Sequence, residues 1–200
     1  QLVSLNRNKT TAQEPDFVAE NGDARGLDFS LRYEKDRLYV WSTYSLGKVT
    51  RFDGEQVFPT IFDRRHNVNL LASYKFGSNE EWEAGVRWNY GSELPFTQTQ
   101  GFYGNINFID QGLDTNVGNS NPDLSTLYST TRNGGRLTPY HRLDASIKRV
   151  FAIGERKKME AQLSLANAYN RPHIFFIDRK TSERIDQLPI LPNFTLSWTF

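Results

Sequence analysis

Strict alternation of apolar and polar residues closes the chain. Phe194, Leu196, Trp198 and Phe200 interleave with Asn193, Thr195, Ser197 and Thr199, so an extended backbone carries four large apolar side chains on one face and four polar ones on the other. The same period recurs upstream. Leu27, Phe29, Leu31 and Tyr33 oppose Asp28, Ser30 and Arg32, and His66, Val68, Leu70, Ala72, Tyr74 and Phe76 oppose Asn67, Asn69, Ser73 and Lys75. Trp82, Ala84, Val86, Trp88 and Tyr90 then oppose Glu83, Gly85, Arg87 and Asn89. Leu143, Ala145 and Ile147 alternate with Arg142, Asp144, Ser146 and Lys148, as do Met159, Ala161, Leu163 and Leu165 with Glu160, Gln162 and Ser164. Each stretch reads as a strand with one apolar and one polar face. Two places break the pattern: Leu71 falls among the polar positions, and between Leu38 and Leu46 the residues Leu38, Val40 and Tyr44 compete with Tyr39 and Trp41 for the apolar face. Seven strands are expected, with Leu2 to Leu5 a fragment of another.

The connections between these strands alternate in length. Asn6 to Asp23, Gly47 to Arg64, Gly91 to Pro139 and Ala168 to Leu191 are long, the last with a small hairpin expected around Asp178 to Glu183, whereas Glu34 to Arg37, Gly77 to Glu81 and Ala152 to Lys158 are short. Such alternation puts all tight turns at one end of a sheet and all long loops at the other. Outer-membrane barrels are built this way, with periplasmic turns and extracellular loops. The expected fold is therefore all-β, a transmembrane antiparallel up-and-down barrel, with Trp82 and Trp198 near the periplasmic boundary and Trp88 and Tyr90 near the outer one. Lipid-facing sheets leave no edge unpaired and bacterial single-chain barrels have even strand numbers. Seven strands and a fragment thus imply either a small eight-stranded barrel or the C-terminal part of a larger one. A soluble β-sandwich binding module is the third architecture compatible with the alternation.

Composition changes this picture little. The fraction of hydrophobic residues, 38%, and of charged residues, 24%, is that of an ordinary folded chain, and barrel strands, which meet lipid at every second residue, keep it so. The 14% aromatic content suits interfacial girdles. A net charge of +1 without a basic block gives no electrostatic case for nucleic acid, and zero cysteines leave no disulfide framework and no thiolate metal site. The opening residues lack the charged leader and apolar core of a signal peptide, so a removed signal or an upstream segment is expected.

Several segments together resemble a known family. Trp88-Asn89-Tyr90-Gly91-Ser92-Glu93-Leu94-Pro95-Phe96-Thr97-Gln98, Asp63-Arg64-Arg65-His66-Asn67, Pro139-Tyr140-His141-Arg142-Leu143-Asp144, Asn167-Ala168-Tyr169-Asn170-Arg171 and Leu188-Pro189-Ile190-Leu191-Pro192 resemble the C-terminal barrel of TonB-dependent outer-membrane receptors of the Bacteroidota type. The resemblance implies a barrel of about 22 strands filled by an N-terminal plug, of which residues 1–200 would form about eight strands, roughly the last third. It implies import of a scarce ligand (a glycan, peptide or metal chelate) driven through a plug-contacting TonB complex, with outer-membrane lipid around the barrel and a surface lipoprotein as a further partner. No plug is recognisable in this chain. The terminal Phe194, Leu196, Trp198 and Phe200 also resemble the signal read by the barrel-assembly machinery. The alternative is a small autonomous outer-membrane barrel with an adhesive or structural role.

Enzyme chemistry has little to stand on. His66, His141 and His173 are far apart without HExxH-like pairing, so no metal site is expected, and Asn133-Gly134-Gly135 lacks the Lys and helix of a phosphate cradle. Asp28, Arg32, Glu83, Arg87, Asp144, Lys148 and Glu160 most simply line a wet lumen. No catalytic residue and no cofactor are expected. For ligand binding the candidates are Phe102, Tyr103, Tyr128 and Arg132 in the longest loop, where rings and a cation stand among amides, a mixture suited to sugars or peptides.

Overall fold

The computed structural model describes residues 2–5, 13, 15–104, 124–153, 157–178, 181 and 183–200. The fold is all-β and antiparallel, and the described residues include no helix. The strands are β1 (Leu2–Leu5), β2 (Phe17–Lys35), β3 (Leu38–Phe52), β4 (Val57–Pro59), β5 (His66–Phe76), β6 (Trp82–Gly91), β7 (Pro95–Phe96), β8 (Thr99–Gly104), β9 (Leu124–Tyr128), β10 (Gly135–Arg136), β11 (Tyr140–Ala152), β12 (Lys158–Ala166), β13 (Ile174–Ile177), β14 (Arg184–Asp186) and β15 (Leu191–Thr199). One sheet runs β1-β2-β3-β5-β6-β11-β12-β15, with β4 added to the end of β3. Each long strand pairs with its predecessor in the meander, and β1 and β15 are the two ends of the path.

Register sorts the side chains into two faces. Residues paired directly across antiparallel strands share a face. Val40, Ala72, Val86, Ala145, Leu165 and Pro192 thus form one row crossing six strands, and Leu38, Tyr74, Ala84, Ile147, Leu163 and Phe194 form the next. Aromatic residues flank these aliphatic rows. Phe29, Tyr44, Tyr90 and His141 lie in one row toward one end, and Phe76 and Trp82 lie toward the other, joined by Phe151 and Trp198 one row further out. Phe76 and Trp82 stack at 6.0 Å, Trp88 and Tyr90 at 6.0 Å, and Trp198 and Phe200 at 5.9 Å.

The opposite face is polar. Lys148 and Glu83 meet at 2.9 Å, and a hydrogen-bonded line runs from Asn89 to Asn69 to Thr43 across three strands. Asp28, Arg32, Glu83, Arg87, Asp144, Lys148 and Glu160 all fall on this face. The ambiguous parity of β3 resolves with Leu38, Val40 and Tyr44 on the apolar side and Tyr39 and Trp41 on the polar one. Leu71 lies opposite Trp41, so the misfit has an apolar neighbour of its own, and Trp41 is further tied by its indole N–H to Ser30 Oγ at 3.1 Å.

Among the described residues no second sheet covers either face of the main sheet. Among the described residues Phe58 is the one buried large hydrophobic, whereas Phe29, Leu31, Leu163, Phe194 and Leu196 are each more than half exposed. A sandwich would bury one face against a second sheet. Here the additional strands pair only within the connections, β7 with β10, β8 with β9 and β13 with β14.

Two expected loops proved shorter than the alternation indicated. β2 begins at Phe17 and β3 continues to Phe52, so Asn21 to Asp23 pair with Thr50 to Phe52 in stretches read as loop. These pairs, among them Gly22 with Arg51 and Asp23 with Thr50, hold by backbone ladder and carry no apolar alternation to announce them. The longest connection likewise contains β7 to β10, and the hairpin expected around Asp178 is present as β13–β14, with residues 179, 180 and 182 outside the described residues.

The long and short connections do segregate. Asp36-Arg37, residues 77–81 and residues 153–157 join strands at one end, where Asp36, Glu80 and Gly77 adopt positive φ. All longer connections leave from the other end.

Candidate functional site

Buried polarity is concentrated at the long-connection end. Glu20, Asp63, Asn167 and His173 are all nearly or wholly buried there, in a protein whose strands are otherwise half-exposed. Buried charges persist only when paired, and two carboxylates show how.

Glu20, on the first turn of pairing in β2, receives Arg51 at 3.3 Å from β3 and Arg132 at 3.4 Å from the segment before β10. Arg132 also binds Asp53 at 2.6 Å and lies over the Phe58 ring at 4.6 Å. Gln56 completes this clasp, donating to the Thr130 carbonyl at 3.2 Å and accepting from the Arg132 amide. Burial pushes the Asp53 carboxyl up, but the Gln56 and Glu55 amides and the Arg132 charge outweigh it and hold the group below the usual range. Asp63, fully buried, accepts the Val49 amide at 2.7 Å and pairs with Arg65 at 3.2 Å and Arg136 at 3.5 Å. Asn133, at positive φ, exchanges hydrogen bonds with Thr97 and donates to the Pro59 carbonyl at 2.8 Å. The β3–β5 and β6–β11 connections and the start of β2 thereby form one braced lobe.

A second cluster gathers where β6 and β11 meet the connection from β12. Asp144 accepts the Asn167 amide at 3.0 Å, and Asn167 binds the carbonyls of Arg171 and Leu188 while accepting the Arg171 amide. Asn167 and Asn170 take the left-handed conformation that Asn tolerates better than most residues, which turns the chain back over β11. The Arg171 guanidinium donates to His141 Nε2, leaving the opposite ring nitrogen to meet the Tyr169 hydroxyl at 2.7 Å. His173 packs on Tyr140 at 4.5 Å, and the Arg64 guanidinium lies over the same ring at 6.0 Å.

The ligand candidates read from the sequence are divided between two settings. Phe102, Tyr103 and Tyr128 lie on the β8–β9 hairpin and are exposed. Phe102 and Tyr103, being consecutive in a strand, face opposite ways. Arg132 lies beyond that hairpin, only 17% exposed and committed to Glu20 and Asp53. The four therefore do not converge on one point; the three rings are presented to solvent and the cation braces the lobe. Beside β8, a cleft of about 410 Å³ opens between Phe96, Thr97, Thr99 and Leu137 on one side and Ile174 to Asp178 on the other. Phe175 and Phe176 on its rim are exposed. Phe194, Leu196, Trp198 and Phe200 all stand exposed on the terminal strand and the residue after it.

Sequence reading missed Glu20, which lay in a presumed loop, and gave His173 no role. A signal for the rest existed: Asp63-Arg64-Arg65 and Asn167 to Arg171 are among the segments that carry the family resemblance, and both turn out to be polar anchors of connections. No group of three or more His, Cys, Asp or Glu among the described residues is arranged to hold a metal ion. Comparison with protein-family models, with curated proteins and with solved structures found no match.

Proposed function

We propose that residues 1–200 form part of an outer-membrane β-barrel whose task is TonB-dependent import of a scarce ligand, this chain supplying the last strands and extracellular loops. The observation that carries the reading is the uncovered apolar face, continuous from β2 to β15 and bordered at both ends by aromatic rows. Between Trp82 and Tyr90 on β6 lie eight residue steps, about 27 Å at about 3.4 Å each. A strand tilt of about 40° projects this to about 20 Å, and the rings at either end extend it toward the about 25 Å apolar band of outer-membrane barrels. The opposite face, with its carboxylates, amides and cations, suits a hydrated lumen. The braced connections fit the extracellular side and the tight turns the periplasmic side. The resemblance in the Trp88 to Gln98 and Asn167 to Arg171 segments selects import among barrel functions.

The eight-strand path itself favours the second reading, an autonomous small barrel with an adhesive or structural role. One measurement separates the two: the intact mass of the native protein recovered from outer membranes with an antibody to residues 91–139. Import through a large plugged barrel requires a mass several times 23.1 kDa. A mass near that value removes the import reading and leaves the small barrel. Recovery in the soluble fraction as a detergent-free monomer removes both.

A further inference from the structure

Where β3, β5 and β6 lie side by side, the polar face of the main sheet carries a cleft of about 300 Å³ whose lining includes Trp41, Thr43, Asn69, Leu71, Arg87 and Asn89. Register puts these residues in two adjacent rows. Trp41, Leu71 and Arg87 follow one another across the three strands, and Thr43, Asn69 and Asn89 do the same two positions further along. Trp41 and Arg87 therefore stand two strand spacings apart, about 10 Å, with Leu71 between them. Their contacts leave much bonding capacity open. The Trp41 indole N–H is committed to Ser30 Oγ at 3.1 Å, so the exposed ring offers an apolar surface. Asn89 donates to Asn69 at 2.5 Å and Asn69 to Thr43 at 3.1 Å, which fixes both amides and leaves the Asn89 carbonyl oxygen, an N–H of each amide and the Thr43 hydroxyl proton for a partner. Arg87 is the charged member of this lining. Asp144, directly across from it, gives its carboxylate to Arg142 at 2.9 Å and to the Asn167 amide at 3.0 Å. Among the described residues Arg87 has no hydrogen bond or ion pair of its own.

We propose that this cleft binds one unit of an acidic saccharide, its ring against Trp41 and Leu71, its hydroxyls on Thr43, Asn69 and Asn89, and its carboxylate on Arg87. The inference rests on the import reading, because an eight-stranded barrel fills its interior with its own side chains, and only a wider lumen leaves this face open to a ligand. A sugar ring has C–H faces and a rim of hydroxyls that both donate and accept. It needs an apolar plate beside a mixed set of donors and acceptors, and the two rows supply one each. An extended peptide is recognised through unpaired backbone groups at a sheet edge. None is on offer at these positions, since β3, β5 and β6 are paired on both edges there. The sign of the ligand follows from Arg87. Its planar fork matches a carboxylate through two parallel hydrogen bonds, and the cleft holds no carboxylate to compete for it. Because Arg87 is exposed, its pull on the ligand is screened by salt.

The test titrates the native full-length protein in detergent, at low salt, with the trimers of galacturonate, glucuronate and mannuronate, followed by calorimetry and tryptophan fluorescence. Saturable binding of at least one trimer is expected, with a fluorescence change that Trp41→Phe removes while calorimetric binding persists. Methyl-esterifying the carboxylates of that trimer should weaken its binding about tenfold or more. Arg87→Gln should impose the same loss on the acid and none on the ester, a pattern that mere damage to the sheet would not produce. The comparison of acid with ester on the wild-type protein holds however the variants fold. Absence of saturable binding by all three trimers overturns the proposal, as does equal affinity for acid and ester, or Arg87→Gln binding the acid like wild type. Intact mass measured on the same preparation tells the two failures apart. A mass near 23.1 kDa removes import and the site together, whereas a mass several times larger without binding of any trimer removes the site alone.

Discussion

Arg132 and Glu20 are 112 positions apart in the sequence, and their side chains meet at 3.4 Å. That contact ties the longest connection to the first long strand, and the buried carboxylate also pairs with Arg51. Removing Arg132 should therefore open the lobe locally. Arg132→Ala is expected to raise hydrogen exchange in residues 129–137 by an amount equivalent to about 1–3 kcal/mol, leaving exchange in β11 and β12 unchanged. Uniform loss of protection across the sheet would show that the clasp stabilises the whole fold instead.

The same clasp has a pH dependence set by Asp53. Its carboxyl sits below the ordinary range in the folded protein, so the folded state binds fewer protons than the unfolded one as pH falls past about 4. Its contribution is fully present above the unfolded value and disappears as pH drops through the folded one. The opening equilibrium of residues 129–137, read from exchange after division by the intrinsic pH-dependent amide rate, should be flat from pH 8 to about 5 and rise below about 4. Asp53→Asn should remove that rise.

His173 acts in a different window. A buried imidazole held below its usual range favours the neutral ring, so folding excludes a proton that the unfolded chain binds below about 6.5. Acidification through that value should loosen the connection from Asn167 to Ile190, and His173→Phe should abolish the effect. Limited proteolysis of this connection between pH 7.5 and 5.5 measures it directly; a wild-type rate that does not change with pH would contradict the assignment.

The two faces give a paired test in membranes. Leu163 and Gln162 are neighbours on β12 that face opposite ways, as are Leu196 and Thr195 on β15. Lys at Leu163 or Leu196 should reduce the fraction of assembled, heat-modifiable barrel, consistent with a cost of roughly 2–4 kcal/mol for a cation at the lipid midplane. Lys at Gln162 or Thr195 should assemble like wild type. Equal effects on both faces would dismiss the membrane reading.

Gly26 and Gly47 are cross-strand partners with unequal surroundings. A Cβ on Gly26 would come within 2.6 Å of the Leu46 carbonyl oxygen, which is backbone and cannot swing away, whereas one on Gly47 would meet nothing closer than 3.7 Å. Gly26→Ala should destabilise the β2–β3 pairing by about 1–3 kcal/mol. Gly47→Ala should be neutral, and thermal unfolding in detergent distinguishes them.

Which features were legible follows from what set them. Strands such as β6 and β15 are fixed by which face meets water, and that requirement writes a period of two into the sequence. β3 was half legible because Trp41 has an apolar partner in Leu71 on the polar side, so both faces of one strand carry large rings. The upper part of β2 was invisible, since Asn21 to Asp23 are held by ladder hydrogen bonds that any residue except proline supplies. Glu20 and Arg132 could not be linked from sequence at all: their pairing depends on two connections folding back to the same point, and no local period records it. Arg132 was singled out for a ligand because a lone cation among amides looks available, whereas its guanidinium is spent on Glu20 and Asp53.

The segregation of connections divides the molecule into a half whose turn lengths the register constrains and a half whose loop lengths it leaves free. Adding a single residue between Lys35 and Leu38 would exchange the faces of every residue in one of the two strands, exposing Asp28 or Ser45 where Leu27 or Leu46 had been. An insertion between Thr60 and Arg65, or in the stretch from Ile174 to Leu188, changes no register in the main sheet. Diversification by insertion, whether by natural drift or by grafting epitopes, is thus open on one rim and closed on the other, so lineages of such a chain would keep their staves in common and differ in their crowns.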